Sequence, residues 1–168
     1  MTIKNIAWQF KSLAEVSAVS GASFKSGERI VSFLFRNEEG ELMRADIREE
    51  EANTFQAPGL ILGRWSQTLL DDQDSSASKH QALQSIEEWF LSLYELENVE
   101  EDKELPIIKQ LLALILERKR ILRPLSSIKN HRTRRYLHLK TRSEYEVPSL
   151  NLMTEPTLKI VERLNALL

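Results

Sequence analysis

The 168-residue sequence predicts an α+β fold: an N-terminal antiparallel β-hairpin region, central helices, a second β-hairpin and a C-terminal amphipathic helix. Two observations carry this. Apolar runs rich in β-branched and aromatic residues, such as RIVSFLF from Arg29, dominate the first part of the chain. After Ser85, apolar residues recur at spacings of three and four instead.

Ile6, Trp8 and Phe10 alternate with smaller or polar residues, which predicts a short half-buried strand. Gly21 and Gly27 signal turns, RIVSFLF and ELMRADI flank the turn NEEG, and Arg29 to Ile47 therefore reads as a β-hairpin. Pro58, Gly59 and Gly63 break any period between Arg48 and Gln67, leaving a loop with a short strand at Leu60 to Leu62. The polar stretch DDQDSSASKHQ follows and reads as a connection.

Ser85 and Glu88 have capping-box spacing, so a helix is expected to begin at Ser85, with Ile86, Trp89, Phe90 and Leu93 as its inner stripe. A second helix is expected from Pro106 to about Leu122, burying Ile108, Leu111, Leu112, Ile115 and Leu116. RYLHLKTRSEYEVPSL reads as a second hairpin with Leu137, Leu139, Tyr145 and Val147 inward. A turn at Thr141 to Ser143 pairs Lys140 with Glu144 and His138 with Glu146 on the outer face. Thr154 and Pro156 open a last helix carrying Leu158, Val161, Leu164 and Leu168 inside and Lys159, Glu162 and Arg163 outside. The expected organisation is a β-rich half at 1–70, a polar linker or hinge at 71–84 and a helical half with a hairpin at 85–168, forming one composite domain.

Several segments in order, SAVSGASFKSGERIVSFLF, GELMRADI, GLILGRWSQTL, LLALILERKRIL and YLHL with SEYEVP before the last helix, resemble a family of uncharacterised bacterial proteins of about this length. The resemblance spans nearly the whole chain. In that family a Cys often stands where this chain has Ser17, and a Gly-Glu pair precedes the long strand as Gly27 and Glu28 do here. It implies a shared architecture and no particular activity, and a thiol role does not transfer to Ser17.

The composition excludes several functions. The chain has no Cys, hence no disulfide, thiolate metal site or cysteine nucleophile, which suits a reducing compartment. The start MTIKNIAWQFKSLAEV does not read as a secretory signal, and the longest apolar run, Leu111 to Leu116, is far short of the ~20 residues that cross a bilayer, so the expected location is cytoplasmic with no membrane span. His80, His131 and His138 lack metal-site spacing, DDQDSSAS lacks the Gly and closing Glu of a calcium loop, and no phosphate-binding glycine loop or nucleophile elbow occurs. No catalytic residue, metal or cofactor is therefore assigned, and a non-enzymatic role is expected.

One stretch stands apart. Arg118 to Arg142 contains ten Lys or Arg and no Asp or Glu, in a chain whose net charge is -2. Arg118, Lys119, Arg120, Arg123, Lys129, Arg132, Arg134 and Arg135 are the candidate binding residues. Cations on one face release counterions from phosphates and so could bind a nucleic-acid backbone. Stacking partners are few, namely Tyr136, His131 and His138, and cations in a helix's last turn also suit its dipole. Asp71 to Glu104 is correspondingly acidic, so the two blocks are suited to neutralise one another within the fold or between subunits of a homo-oligomer. The leading expectation is a cytoplasmic protein that binds an unidentified protein partner, with RNA or DNA backbone binding through 118–142 as the alternative.

Overall fold

The computed structural model describes residues 8, 10, 14–70, 75–96, 102–125 and 132–168. Among them are two three-stranded antiparallel sheets and three α-helices, the last at the C-terminus, a mixed α+β fold as expected. The chain forms two compact units, one comprising Ala7–Val99 with Arg163–Leu168 and the other Glu100–Glu162.

In the first unit, β1 (Arg29–Asn37) and β2 (Leu42–Arg48) form the expected hairpin, and β3 (Gly59–Thr68) joins the other edge of β1 to give the order β2-β1-β3. The hairpin turn is held by the Asn37 side chain, whose Oδ1 accepts the N–H of Glu39 at 3.0 Å and of Glu41 at 2.8 Å. A strand of ten residues replaces the short one expected at Leu60 to Leu62. Its glycines do not break it. They serve two close approaches, because a Cβ on Gly63 would stand 2.1 Å from Trp89 Cδ1 and one on Gly59 would stand 1.8 Å from the Arg36 carbonyl oxygen. The register shifts between Leu34 and Phe35, a bulge that accommodates the Gly63 position.

One sheet face buries Val31, Phe33 and Ile47, with Ala52, Phe55 and Ile61 packed on them. An aromatic cluster of Trp8, Phe10, Trp65 and Trp89 fills another part of the core, with ring centroids 5.2 to 5.6 Å apart. Trp8 and Phe10 are thus buried as the alternation suggested, but in irregular backbone, with Phe10 at φ 56°. Ile6 lies outside the described residues.

Helix α1 spans Ser75–Glu95 and starts ten residues before the expected position at Ser85. The segment 75–84 is therefore helical rather than linker, while 71–74 lie outside the described residues. Ser85 is mid-helix and fully buried, and its hydroxyl donates to the Ser66 carbonyl at 3.2 Å. Several polar groups of this helix point at a strand edge. Ser92 Oγ accepts from Arg64 N–H at 3.1 Å, Glu88 from Ser66 N–H at 3.0 Å, and Trp89 Nε1 donates to the Leu62 carbonyl at 3.1 Å. Ile86, Trp89, Phe90 and Leu93 form the buried stripe as expected.

In the second unit, α2 (Leu105–Arg118) has Pro106 in its first turn and buries Ile108, Leu111, Leu112, Ile115 and Leu116. Asp102 Oδ1 caps its start, accepting the N–H of Glu104 at 2.9 Å and of Leu105 at 3.1 Å. The helix stops at Arg118, earlier than Leu122. Arg120 takes φ 59°, Ile121 N–H donates to the Leu116 carbonyl at 2.9 Å and Arg120 N–H to that of Glu117 at 3.0 Å, which closes the end as a Schellman motif. Leu122 then begins β4 (Leu122–Pro124), a strand that the helical pattern concealed.

β4 pairs with β5 (Thr133–His138), which pairs with β6 (Glu144–Pro148). The hairpin exists, but its register differs from the expected one. His138 N–H donates to the Ser143 carbonyl at 2.8 Å and Leu137 faces Glu144 across the ladder, so His138 is not opposite Glu146 and Lys140 lies in the turn. An odd slip exchanges the two faces. Tyr136 and His138 are buried with Val147, and Leu137 and Leu139 are half-buried instead.

Helix α3 (Glu155–Leu167) buries Thr157, Ile160, Val161 and Leu164, with Leu168 just beyond its end. Leu158 is 42% exposed, contrary to expectation, because the inner arc is centred on 157, 160, 161 and 164 and passes it by.

Candidate binding surface

Seven of the eight predicted binding residues are described, all in the second unit; Lys129 lies outside the described residues. Arg118, Lys119 and Arg120 are exposed at the end of α2, and Arg123 is exposed on β4 opposite Leu137 of β5. Arg132, Arg134 and Arg135 are exposed at the start of β5 and just before it. The structure divides this set by what surrounds each cation. Arg134 Nη2 is 4.0 Å from Glu117 and its guanidinium lies 5.6 Å from the centre of the Tyr136 ring. Arg135 pairs with Glu144 across the hairpin. Exposed pairs of this kind add little stability but do take up part of the positive field.

Two cations outside the predicted set lie beside it, and one of them, Lys140, was expected to be neutralised by Glu144. Leu139 N–H donates to the Ile121 carbonyl at 3.1 Å, so the β5–β6 turn lies beside the α2–β4 turn. Lys140 and Arg142 are exposed in that turn. Among the described residues, no carboxylate forms an ion pair with Lys119, Arg120, Lys140 or Arg142. The loop between His138 and Ser143 has four residues, where a three-residue turn was expected.

Two of the three expected stacking side chains, Tyr136 and His138, are internal. Tyr136 is 2% exposed and its hydroxyl donates to Glu117 at 3.0 Å, while His138 is 1% exposed with Nδ1 accepting the Thr141 N–H at 3.1 Å. Burial, with the Glu117 charge second, pushes the Tyr136 phenol up to about 12. His131 lies outside the described residues, and His80 is exposed on α1.

Two of the described acidic residues of the 71–104 block have local tasks. Glu88 serves the β3 edge and Asp102 caps α2. Ser17 is buried and donates its hydroxyl to Glu51, while accepting Val19 N–H at 3.2 Å. That bond and those from Ser20 and Arg48 hold the Glu51 carboxyl below its ordinary range. Among the described residues no group of His, Asp or Glu is arranged to hold a metal ion, and no helix is long and apolar enough to cross a membrane. Comparison with family models, with curated proteins and with solved structures yields no match.

Proposed function

We propose that this chain is a non-catalytic, cytoplasmic binding protein that mediates a protein-protein interaction through the exposed cations between residues 118 and 142. The observation that supports this reading is the combination of an exposed basic surface with buried aromatic rings. Arg118, Lys119, Arg120 and Arg123 are exposed, whereas Tyr136 and His138, which a single-stranded nucleic acid would need for stacking, are internal. Electrostatic steering toward an acidic partner uses such a surface as it stands.

Binding to an RNA or DNA backbone is the second reading, favoured by the number of exposed cations. It carries a distinct signature: if about five phosphates were neutralised, affinity would fall on the order of 10² to 10³ between 50 and 200 mM salt. The deciding experiment is affinity capture from native lysate with and without nuclease, for the natural chain and for the triple variant Lys119→Glu, Arg120→Glu, Arg123→Glu. Proteins retained after nuclease and lost in the variant support the protein-binding reading; a capture that collapses with nuclease supports the nucleic-acid one.

A further inference from the structure

We infer that the paired α2–β4 and β5–β6 turns form the recognition site itself, taking an acidic protein segment that carries an apolar side chain between its carboxylates. This rests on the protein-binding reading and adds the contact set and the partner's chemistry. The two turns are joined by the Leu139 to Ile121 backbone bond, and this seam carries two half-buried apolar side chains, Ile121 and Leu139. Around it stand the exposed side chains of Lys119, Arg120, Lys140 and Arg142. A phosphate backbone matches the cations but has nothing to offer the apolar seam. A protein segment with Asp or Glu flanking a Leu, Ile or Phe satisfies both.

The backbone provides a second, independent observation. Among the described residues only three that are not Gly have positive φ, and two of them are Arg120 at 59° and Arg142 at 63°. Each sits at the left-handed position of its turn, where Gly is the unstrained residue. A long cation at both positions therefore sets charge against backbone comfort, and strain of this kind is a mark of a functional site. Both turns are also firmly held. The first is closed by the two Schellman bonds, and the second by Arg142 N–H donating to the His138 carbonyl at 2.8 Å and by Thr141 N–H on His138 Nδ1 at 3.1 Å. A partner thus meets a preorganised surface, which lowers the entropic cost of binding.

The test is fluorescence anisotropy of the full chain with three labelled probes: an acidic peptide with central leucines, a peptide of equal charge with central serines, and a duplex DNA oligonucleotide of comparable length. The leucine peptide is expected to bind most tightly, by about tenfold over the serine peptide. The variant Lys119→Glu, Arg120→Glu, Lys140→Glu, Arg142→Glu is expected to lose at least about tenfold in affinity for it. Lys159→Glu, a charge reversal on α3, is expected to bind as the natural chain does. Because a fourfold reversal could disturb folding, the double variant Arg120→Gly, Arg142→Gly removes two charges while relieving both turns; it should melt no lower than the natural chain and still bind several-fold more weakly. Equal affinity for the leucine and serine peptides, DNA binding as tight as the leucine peptide, or unchanged binding by the glycine variant would each overturn the inference. If no peptide binds while lysate capture persists, this site is wrong and the broader reading stands; if capture also fails, both fall.

Discussion

Gln81 and Thr68 exchange two hydrogen bonds in the way that paired strands do: Thr68 N–H donates to Gln81 Oε1 at 2.9 Å, and Gln81 Nε2 donates to the Thr68 carbonyl at 2.8 Å. Together with Ser85, Glu88, Trp89 and Ser92, this makes one side of α1 a substitute for a fourth strand along β3. The match is geometric. Two strand residues advance ~6.6 Å and four helix residues ~6 Å, so polar side chains at helical spacing reach alternate residues of the edge. Gln110 makes a similar two-bond exchange in the second unit with Leu150, just past the end of β6, donating to its carbonyl at 3.2 Å and accepting its N–H at 2.8 Å. An edge covered in this way is not available for pairing with another chain.

Replacing Gln81 with Leu keeps most of the side-chain volume and removes both bonds. Loss of partners for the Thr68 N–H and carbonyl is expected to cost about 1 to 3 kcal/mol, measured by urea denaturation. Combined with Glu88→Ala, it should also make the protein associate at concentrations where the natural chain does not, as read by light scattering.

Gly63→Ala is expected to be among the most damaging small substitutions. The new methyl would stand 2.1 Å from the Trp89 indole at a backbone φ of 147°. A cost of about 3 kcal/mol is expected, as a lowered melting temperature and a shift in tryptophan emission. An unchanged melt would mean that Trp89 does not pack there.

Leu112→Ala empties a fully buried position on the inner face of α2. The expected loss is about 2 to 5 kcal/mol by chemical denaturation, and a loss under ~1 kcal/mol would contradict the packing of that helix.

At high pH the phenol of Tyr136 is the group to follow. Its pKa of about 12 lies above the ordinary value of 10.0, so folding favours the neutral form. The associated stability is complete below the unfolded value and is lost as pH rises from about 10 toward about 12. Absorbance titration of the chain's three tyrosines should resolve one late component, which Tyr136→Phe removes.

At low pH the first unit is expected to weaken through Glu28 and Glu51. Glu28 is held below the ordinary carboxylate range by the Lys25 N–H and then by Arg48, and Glu51 by the Ser17 and Ser20 hydroxyls. Folding therefore favours their charged forms, and this contribution is present above the ordinary value of 4.5 and lost as pH falls below it. Ser17→Ala and Arg48→Ala should each flatten the acid limb of the stability profile; an unaltered limb would mean that other carboxylates govern it.

What the sequence determined by itself is what local pattern encodes. The β1–β2 hairpin, the buried stripes of α1 and α2, the Pro106 start and the α+β class follow from side-chain period, β-propensity and turn residues, which act between near neighbours. The concentration of cations after Leu116 was equally plain. What only the tertiary structure decided depends on partners distant in sequence. The ten N-terminal residues of α1 look like a linker until the Gln81 side chain meets the β3 edge, and the glycines of β3 look like breakers until Trp89 occupies the space above one of them. An odd register slip at the β5–β6 loop moved His138 into the core, because period-two side chains change face with every single-residue shift, and left Lys140 in the turn instead of opposite Glu144. The basic composition was therefore legible in one dimension, but that the turns carrying Arg120 and Lys140 lie side by side rests on a backbone hydrogen bond between Leu139 and Ile121, residues distant in sequence.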